Sequence, residues 1–257
     1  MRKWLCLVGL LLLLAEASIP GAHAGEVLFQ YSTFDALLGG LYDGGLTLGE
    51  LKKHGNLGLG TFTALDGEMV VLDGRVYQVK VDGKVYRPPD TVTTPFATVT
   101  TFSPQKSYPL KQVGSLQELT RLLDQALPSP NFFYAVRIDG RFQRVAARSV
   151  PRQSRPYQPL AKIVENQQVF LFKEVEGIIL GFRCPSFVKG VNVPGYHLHF
   201  LTKDRTAGGH VQDAAFENLT VQVDLIRRFT MVLPKEKEFH GLDLGQDKSQ
   251  ELEKVEK

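Results

Sequence analysis

GYHLHFLTKDRTAGGHV, residues 195–211, decides the fold of the C-terminal half of the chain, because it predicts two β-strands joined by a short loop. Side chains two residues apart on a strand point to the same face, so His197 and His199 lie side by side. Polar residues and two glycines follow, which suit a hairpin loop, and His210 then opens the alternating run HVQDAAF of a return strand. The spacing therefore predicts three imidazoles gathered on neighbouring strands.

These three histidines are the strongest candidate for a metal site. A single histidine on a strand is usually packed or hydrogen-bonded, but a third histidine on the adjoining strand favours metal binding. Three neutral imidazoles with one open position form the ligand set of a catalytic zinc, whereas structural zinc sites usually have four protein ligands. We therefore predict a Zn²⁺ cofactor, although the same ligands also suit cobalt, nickel or iron. The other histidines, which are assigned no role, are His23, His54 and His240.

The first 24 residues have the three parts of a secretory signal peptide. Arg2 and Lys3 form a short positive region, residues 4–15 form an apolar run, and the small-residue sequence AHA ends the segment at residues 22–24. We expect cleavage near Ala24 and export of the mature chain, either secreted or periplasmic. The apolar run is shorter than the roughly 20 residues of a membrane-spanning helix, so no membrane span is expected in the mature form.

Charge and cysteine content exclude some classes of protein. The chain has 30 lysines and arginines against 27 aspartates and glutamates, a formal net charge of +3, and both signs are spread along it without a basic block. We therefore expect no nucleic-acid partner. Cys6 lies in the leader, so Cys184 is the single cysteine of the mature chain and no internal disulfide is expected. A buried apolar environment is the simplest expectation for Cys184.

The rest of the chain predicts an α/β protein of the α+β kind, with mixed and antiparallel sheets and a few short helices. Thr47 and Ser115 each precede a glutamate by three residues, which indicates a helix start. Further short helices are expected at residues 33–41 and near Pro159. Alternating apolar runs separated by Asp-Gly pairs predict antiparallel hairpins. The four pairs begin at Asp66, Asp73, Asp82 and Asp139.

We divide the mature chain into two β-rich domains. The segment PRQSRPYQP, residues 151–159, contains prolines that interrupt regular strand pairing. This places an N-terminal domain with helices at residues 25–155 and a C-terminal domain, which carries the metal site, at residues 156–234. Residues 235–257 are strongly charged, and composition alone predicts a disordered or surface tail.

Three blocks of sequence together resemble one family, the bacterial acetolactate decarboxylases. The blocks are HGNLGLGTFTALDGEMVVLDGRVYQ at residues 54–78, VRIDGRFQRVAARSVPRQSRPYQPL at residues 136–160, and the histidine block at residues 195–211. The resemblance implies a homodimeric zinc enzyme, with a two-domain α/β structure rich in mixed β-sheet. It further implies a small-molecule substrate, 2-hydroxy-2-methyl-3-oxobutanoate (acetolactate), which is decarboxylated to acetoin and carbon dioxide.

The resemblance also implies roles for individual residues, with the three histidines as metal ligands. The further residues expected at the site are Glu68, Arg148, Glu256, Thr61 and Leu65. Glu68, Arg148 and Glu256 would be catalytic, while Thr61 and Leu65 would line the substrate pocket together with Arg148. The tail glutamate would fold back into the site, and Glu253 is the alternative register for it. By residue type alone, Glu68 would be placed in solvent.

The expected chemistry fits these residue types. Loss of carbon dioxide from a β-keto acid leaves an electron pair that must be delocalised onto the ketone oxygen, and a Lewis-acidic metal stabilises that charge. An arginine suits the departing carboxylate because its planar guanidinium binds both oxygens. A positioned glutamate can then deliver a proton. Two other functions stay open at this point: a different zinc-dependent enzyme such as a hydrolase, and a non-catalytic exported metal-binding protein.

Overall fold

The structure is a computed structural model, and it describes residues 27–256. The predicted signal peptide at residues 1–24 lies outside the described residues. Among residues 27–256, no helix is both long enough and apolar enough to cross a membrane. The described chain is rich in β-strands with a few short helices, which confirms the predicted α+β class.

The first sheet is built mainly from the N-terminal half of the chain. Its seven described strands run in the order β14-β1-β8-β3-β4-β5-β6. Only the β1–β14 pair in this sheet is parallel among the described pairings. The strands are β1 (Val27–Tyr31), β3 (Leu57–Thr61), β4 (Glu68–Leu72), β5 (Arg75–Val79), β6 (Val85–Tyr86), β8 (Ala97–Thr100) and β14 (Arg228–Val232). A separate two-stranded pair joins β2 (Leu46–Thr47) to β7 (Thr93–Thr94).

The second sheet carries the histidine block. It consists of β9 (Lys106–Val113), β10 (Phe133–Ser149), β11 (Gln168–Cys184), β12 (Gly195–Thr202) and β13 (Gly208–Ile226). The order is β10-β11-β12-β13-β9, and β10 also pairs with β13. Four strands therefore close on themselves into a small barrel, with β9 attached to β13. Three strands of this sheet are unusually long: β10 and β11 have 17 residues each and β13 has 19.

The helices are short, and side-chain hydroxyls cap three of them. They are α1 (Phe34–Leu38), α2 (Leu48–Leu51), α3 (Leu116–Ala126), α4 (Leu160–Ile163), α5 (Lys237–His240) and α6 (Ser249–Glu256). The predicted starts at Thr47 and Ser115 are confirmed, because their hydroxyls accept hydrogen bonds from the amides of Glu50 and Glu118 at 3.2 and 3.1 Å. Residues 235–257 were expected by composition to be disordered or on the surface, but α5 and α6 form there.

Of the four predicted Asp-Gly hairpins, two are confirmed, one pair ends a longer loop between paired strands, and one prediction is wrong. Asp73-Gly74 joins β4 to β5, and Asp82-Gly83 lies between β5 and β6. Asp66-Gly67 ends the longer loop 62–67 between β3 and β4. Asp139-Gly140 instead lies within β10, which pairs with β11 on one side and β13 on the other. A Cβ at Gly140 would lie 2.2 Å from a methyl group of Leu219, so a larger residue there would require that side chain to move.

The core has an apolar centre inside the barrel and another between the two sheets. Inside the barrel, Phe142 packs edge-to-face against Phe200 and Phe216, with ring centroids 5.8 Å apart in each case. Between the sheets, Leu59 and Val70 pack in one cluster with Leu180 of β11, and Cys184 is buried in the same cluster as expected. This second cluster holds β4 against the barrel, next to β12.

Phe142→Ala should lower the free energy of unfolding by about 3–5 kcal/mol, because it leaves a cavity among packed aromatic rings. Phe187→Ala is the control, since that ring is 67% exposed and its loss should change stability by about 0.5 kcal/mol or less. Urea unfolding followed by circular dichroism measures both. Equal stability of the two variants would contradict the assignment of the barrel interior as core.

Candidate metal centre

His197, His199 and His210 meet at the junction of β12 and β13. His199 lies directly opposite His210 in the strand register. The three ring centroids are 5.0 to 5.4 Å apart, and one ligand atom from each residue lies within 4.8 Å of the others. All three side chains are buried. The predicted gathering of three imidazoles on a strand pair is confirmed, while their role as metal ligands stays a prediction.

Hydrogen bonding fixes the tautomer of His199. Its Nδ1 lies 2.7 Å from the carbonyl oxygen of Met69, which only accepts, so Nδ1 carries the hydrogen and Nε2 keeps a lone pair. Within residues 27–256, this Nε2 and Nδ1 of His197 are buried without a hydrogen-bond partner. Buried nitrogens rarely lack a partner. One ligand atom of each histidine lies within 4.8 Å of the other two, and two of the rings have an unpartnered buried nitrogen, so the three residues are suited to hold a metal.

Burial keeps these imidazoles neutral. Desolvation lowers the pKa of His199 to about 3, and Arg148 adds a smaller effect in the same direction. Desolvation likewise lowers the pKa values of His197 and His210 well below their usual range. Metal ions bind the neutral imidazole. The site is therefore in the ligand form at neutral pH without first releasing protons from the three rings.

A buried carboxylate–guanidinium pair lies beside the histidines. Arg148 Nη1 donates to Glu68 Oε1 at 2.9 Å, and the side chains of Glu68 and Arg148 are 8% and 5% exposed. The other carboxylate oxygen of Glu68 is 3.7 Å from His199 Nε2. Burial raises the pKa of Glu68, and the positive charge of Arg148 opposes that rise. Glu68 is the first residue of β4, which packs against the barrel. The residue is therefore buried, whereas residue type alone would place it in solvent.

Strand register selects Arg148 from the neighbouring arginines. Arg148 of β10 lies opposite His210 of β13, so it is in the same row as two of the histidines. By contrast, Arg141 and Arg152 are exposed. Arg148 Nη2 donates to the carbonyl oxygen of Val255 at 2.9 Å, and its Nε is buried without a partner among the described residues.

The C-terminal helix α6 brings Glu256 to the site. Glu256 Oε2 is 3.9 Å from His210 Nε2, and its side chain is 15% exposed. Burial raises the pKa of Glu256 to about 8, and the negative charge of Glu68 adds to the rise while Arg148 opposes it. Glu253, the alternative register, is exposed on the same helix. The structure therefore places Glu256, and not Glu253, beside the histidines.

A small cavity of about 30 Å³ lies in front of the histidines and is walled mainly by apolar side chains. Thr61 and Leu65 line this cavity, and the hydroxyl of Thr61 donates to the carbonyl of Gly67 at 2.8 Å. Their role in binding substrate stays a prediction. Leu65 has φ 54° and follows Ala64 at φ 63°, so two successive residues in the left-handed region turn the loop towards the cavity. Sequence reasoning missed the remaining apolar wall, formed by Phe34, Leu37, Phe96, Val150, Leu160 and Val255.

The missed residues come from elements far apart in sequence. Phe34 and Leu37 lie on α1, Leu160 starts α4, and the ring of Phe34 meets His197 edge-on with centroids 6.2 Å apart. The apolar face of α1 and its cap were visible in the sequence. No local signal indicates that this face covers a polar site, because that depends on how the helix docks.

Comparison with known proteins decides the family. A family model described as alpha-acetolactate decarboxylase matches residues 28–246. The chain belongs to the alpha-acetolactate decarboxylase family. It is therefore a carboxy-lyase. The match ends before α6, so Glu256 lies beyond the matched residues.

Individual relatives agree with this assignment over most of the chain. An alpha-acetolactate decarboxylase of Methanosarcina mazei is 52% identical over 235 residues, which are 91% of this chain and 82% of the relative. The one from Methylococcus capsulatus is 43% identical over 237 residues, or 92% and 91% of the two chains. A crystal structure of alpha-acetolactate decarboxylase from Bacillus subtilis strain 168 superposes with a TM-score of 0.87 at 36% identity, covering 90% of this chain and 99% of that one.

Replacing a histidine tests the metal centre. His199→Ala should weaken metal binding by more than about 100-fold, because loss of an outer-shell partner alone costs roughly 10- to 100-fold. His240→Ala is the control, since His240 is exposed and outside the cluster. Metal content after dialysis, measured by mass spectrometry, reports both. Stoichiometric metal in the His199 variant would reject the site as described.

Proposed function

We propose that this protein decarboxylates acetolactate to acetoin and carbon dioxide, at a zinc ion held by His197, His199 and His210. Family membership supports the reaction. The observation that supports the metal assignment is the buried set of three neutral imidazoles, two of which have an unpartnered nitrogen, next to the Glu68–Arg148 pair. A bound zinc ion would supply a Lewis acid with open coordination positions, which stabilises negative charge on a ketone oxygen.

Arg148 is proposed to bind the substrate carboxylate. Its guanidinium keeps its positive charge and can pair with two oxygens. Glu68 holds one arm of the guanidinium in place and the Val255 carbonyl occupies the other. A guanidinium has five N–H donors, so the Nε hydrogen and the second hydrogen of each Nη remain for a substrate carboxylate. Because the pair is buried, water competes little for these hydrogen bonds.

Two buried carboxyl groups can handle the proton that replaces carbon dioxide. Glu68 and Glu256 approach the histidines from different sides, through His199 and His210 respectively. Burial raises the pKa of each, which favours the protonated form needed for donation. A proton delivered from a fixed side chain reaches one face of the substrate carbon. We therefore expect the product to be a single enantiomer.

Export and assembly complete the proposal. We propose that the mature chain is secreted or periplasmic, supported by the three-part leader at residues 1–24. We also propose a homodimer, supported by the resemblance to the family. The mass of the mature N-terminus from the native host and light scattering of the purified protein measure these two properties.

Turnover of acetolactate tests the central proposal. Purified, metal-analysed protein should form acetoin and carbon dioxide from acetolactate, lose this activity on treatment with a chelator, and regain it with zinc. Stoichiometric metal without turnover would favour the non-catalytic metal-binding protein. Chelator-sensitive hydrolysis of ester or amide substrates without gas release from acetolactate would favour a zinc hydrolase.

Glu68→Gln should keep its metal but lower kcat by about 10²- to 10⁴-fold, the usual contribution of a positioned acid or base. The amide keeps the shape of the side chain while removing its charge and its exchangeable acid proton. Glu253→Gln makes the same chemical change at an exposed position of the tail and should behave like the unaltered protein. Acetoin formation and chiral chromatography of the product measure the effect. Unchanged rate and enantiomer ratio in the Glu68 variant would make Glu68 a structural residue.

A further inference from the structure

The last turn of α6 closes the cavity from one side. Val255 is 2% exposed and packs in the apolar cluster that includes Leu65, Phe34 and Leu160. Its carbonyl accepts from Arg148, and the next residue, Glu256, reaches His210. The end of the chain thus supplies part of the wall and one of the two carboxyl groups of the site.

The cavity must widen to take a substrate. Its volume of about 30 Å³ is enough for roughly two buried waters. Of the elements around it, α6 is anchored by few apolar contacts within the described chain, because Leu252 and Val255 are its only members of the neighbouring apolar cluster. A helix with so small a buried area is among the first parts of a protein to open locally.

Charged contacts add to this small apolar anchor at both ends of the helix. At the start, Lys189 pairs with Asp247 at 2.9 Å. In the last turn, the ammonium group of Lys254 pairs with the carboxylate of Glu165, which lies just after α4. The side chains of Lys254 and Glu165 are 50% and 57% exposed. An exposed pair of this kind contributes little to global stability but can shift a local equilibrium.

Three consecutive residues of the last turn have three different environments. Successive residues point about 100° apart around a helix with 3.6 residues per turn. Lys254 points outward to Glu165, Val255 points into the apolar wall, and Glu256 points to His210. A contact that fixes the direction of Lys254 therefore also fixes the direction of Glu256.

We propose that Lys254 is a positioning residue: by pairing with Glu165 it holds the last turn of α6 over the cavity, with Glu256 against His210. The effect on turnover rests on the proposed function, whereas the docking of the helix does not. Breaking the pair should shift the ratio of docked to undocked helix by about two- to five-fold. High salt should weaken this exposed pair in the same direction, because salt screens solvent-exposed charges.

A charge-swap cycle tests the pair in the full-length, metal-loaded protein. The variants are Lys254→Glu, Glu165→Lys and the double variant, and Lys235→Glu is the control for net charge at an exposed tail position. Hydrogen exchange of peptides from residues 249–256 should be about five-fold faster in each single variant and within about two-fold of the unaltered protein in the double variant. Metal content should stay constant, and kcat for acetolactate should fall in the single variants and recover in the double one.

The outcomes separate the two proposals. Single variants that exchange like the control, or a double variant no better protected than the singles, would overturn the role of Lys254. Faster exchange with an unchanged kcat would also overturn it, because the pair would then hold the helix without positioning Glu256. Absence of turnover in the unaltered protein would reject the proposed reaction, while the exchange data would still decide whether the pair docks the helix.

Discussion

The pairing of β13 with both β12 and β10 is the constraint on which the rest of the site depends. It places His199, His210 and Arg148 in one row across three strands, because His210 lies opposite His199 on one side and Arg148 on the other. Adjacent strands are roughly 4.8 Å apart, which is the spacing that lets side chains on one face share a small ligand. Because β10 is paired on both edges in the closed barrel, the backbone positions of these three residues are restricted. The backbone thus sets the distances before any side-chain contact is made.

Burial gives the row its chemical character. A buried charge is costly unless it is paired, and Arg148 is paired with Glu68 and with the Val255 carbonyl. The same burial lowers the pKa values of the histidines and raises those of Glu68 and Glu256. Neutral imidazole nitrogens and carboxyl groups with raised pKa values consequently lie within about 4 Å of one another. In an exposed cluster of the same residues, the pKa values of the histidines and the glutamates would lie closer to their usual ranges.

The site is an assembly of both sheets and three short helices. The barrel supplies the histidines and Arg148, while β4 of the first sheet supplies Glu68 and the Met69 carbonyl that orients His199. Helices α1 and α4 provide apolar cover, and α6 adds Glu256. The two sheets hold the histidines, Arg148 and Glu68. Among the helices that line the cavity, α6 contributes Val255 and Glu256 beside the apolar residues of α1 and α4.

The sequence by itself determined the α+β class, the helix starts at Thr47 and Ser115, and the histidine cluster, because caps and strand alternation act over a few residues. It could not show that Asp139-Gly140 continues a strand, since Asp-Gly favours a hairpin locally and the partners on both sides of β10 override it. Composition placed the tail on the surface, where most of it lies, but it could not show that Leu252 and Val255 pack against Leu160 and its neighbours. The resemblance named Arg148 and Glu256, whereas residue types alone could not choose among the arginines or the tail glutamates, and the tertiary structure places these two beside the histidines. Burial and strand register depend on contacts between residues far apart in the chain, and local sequence carries no record of them.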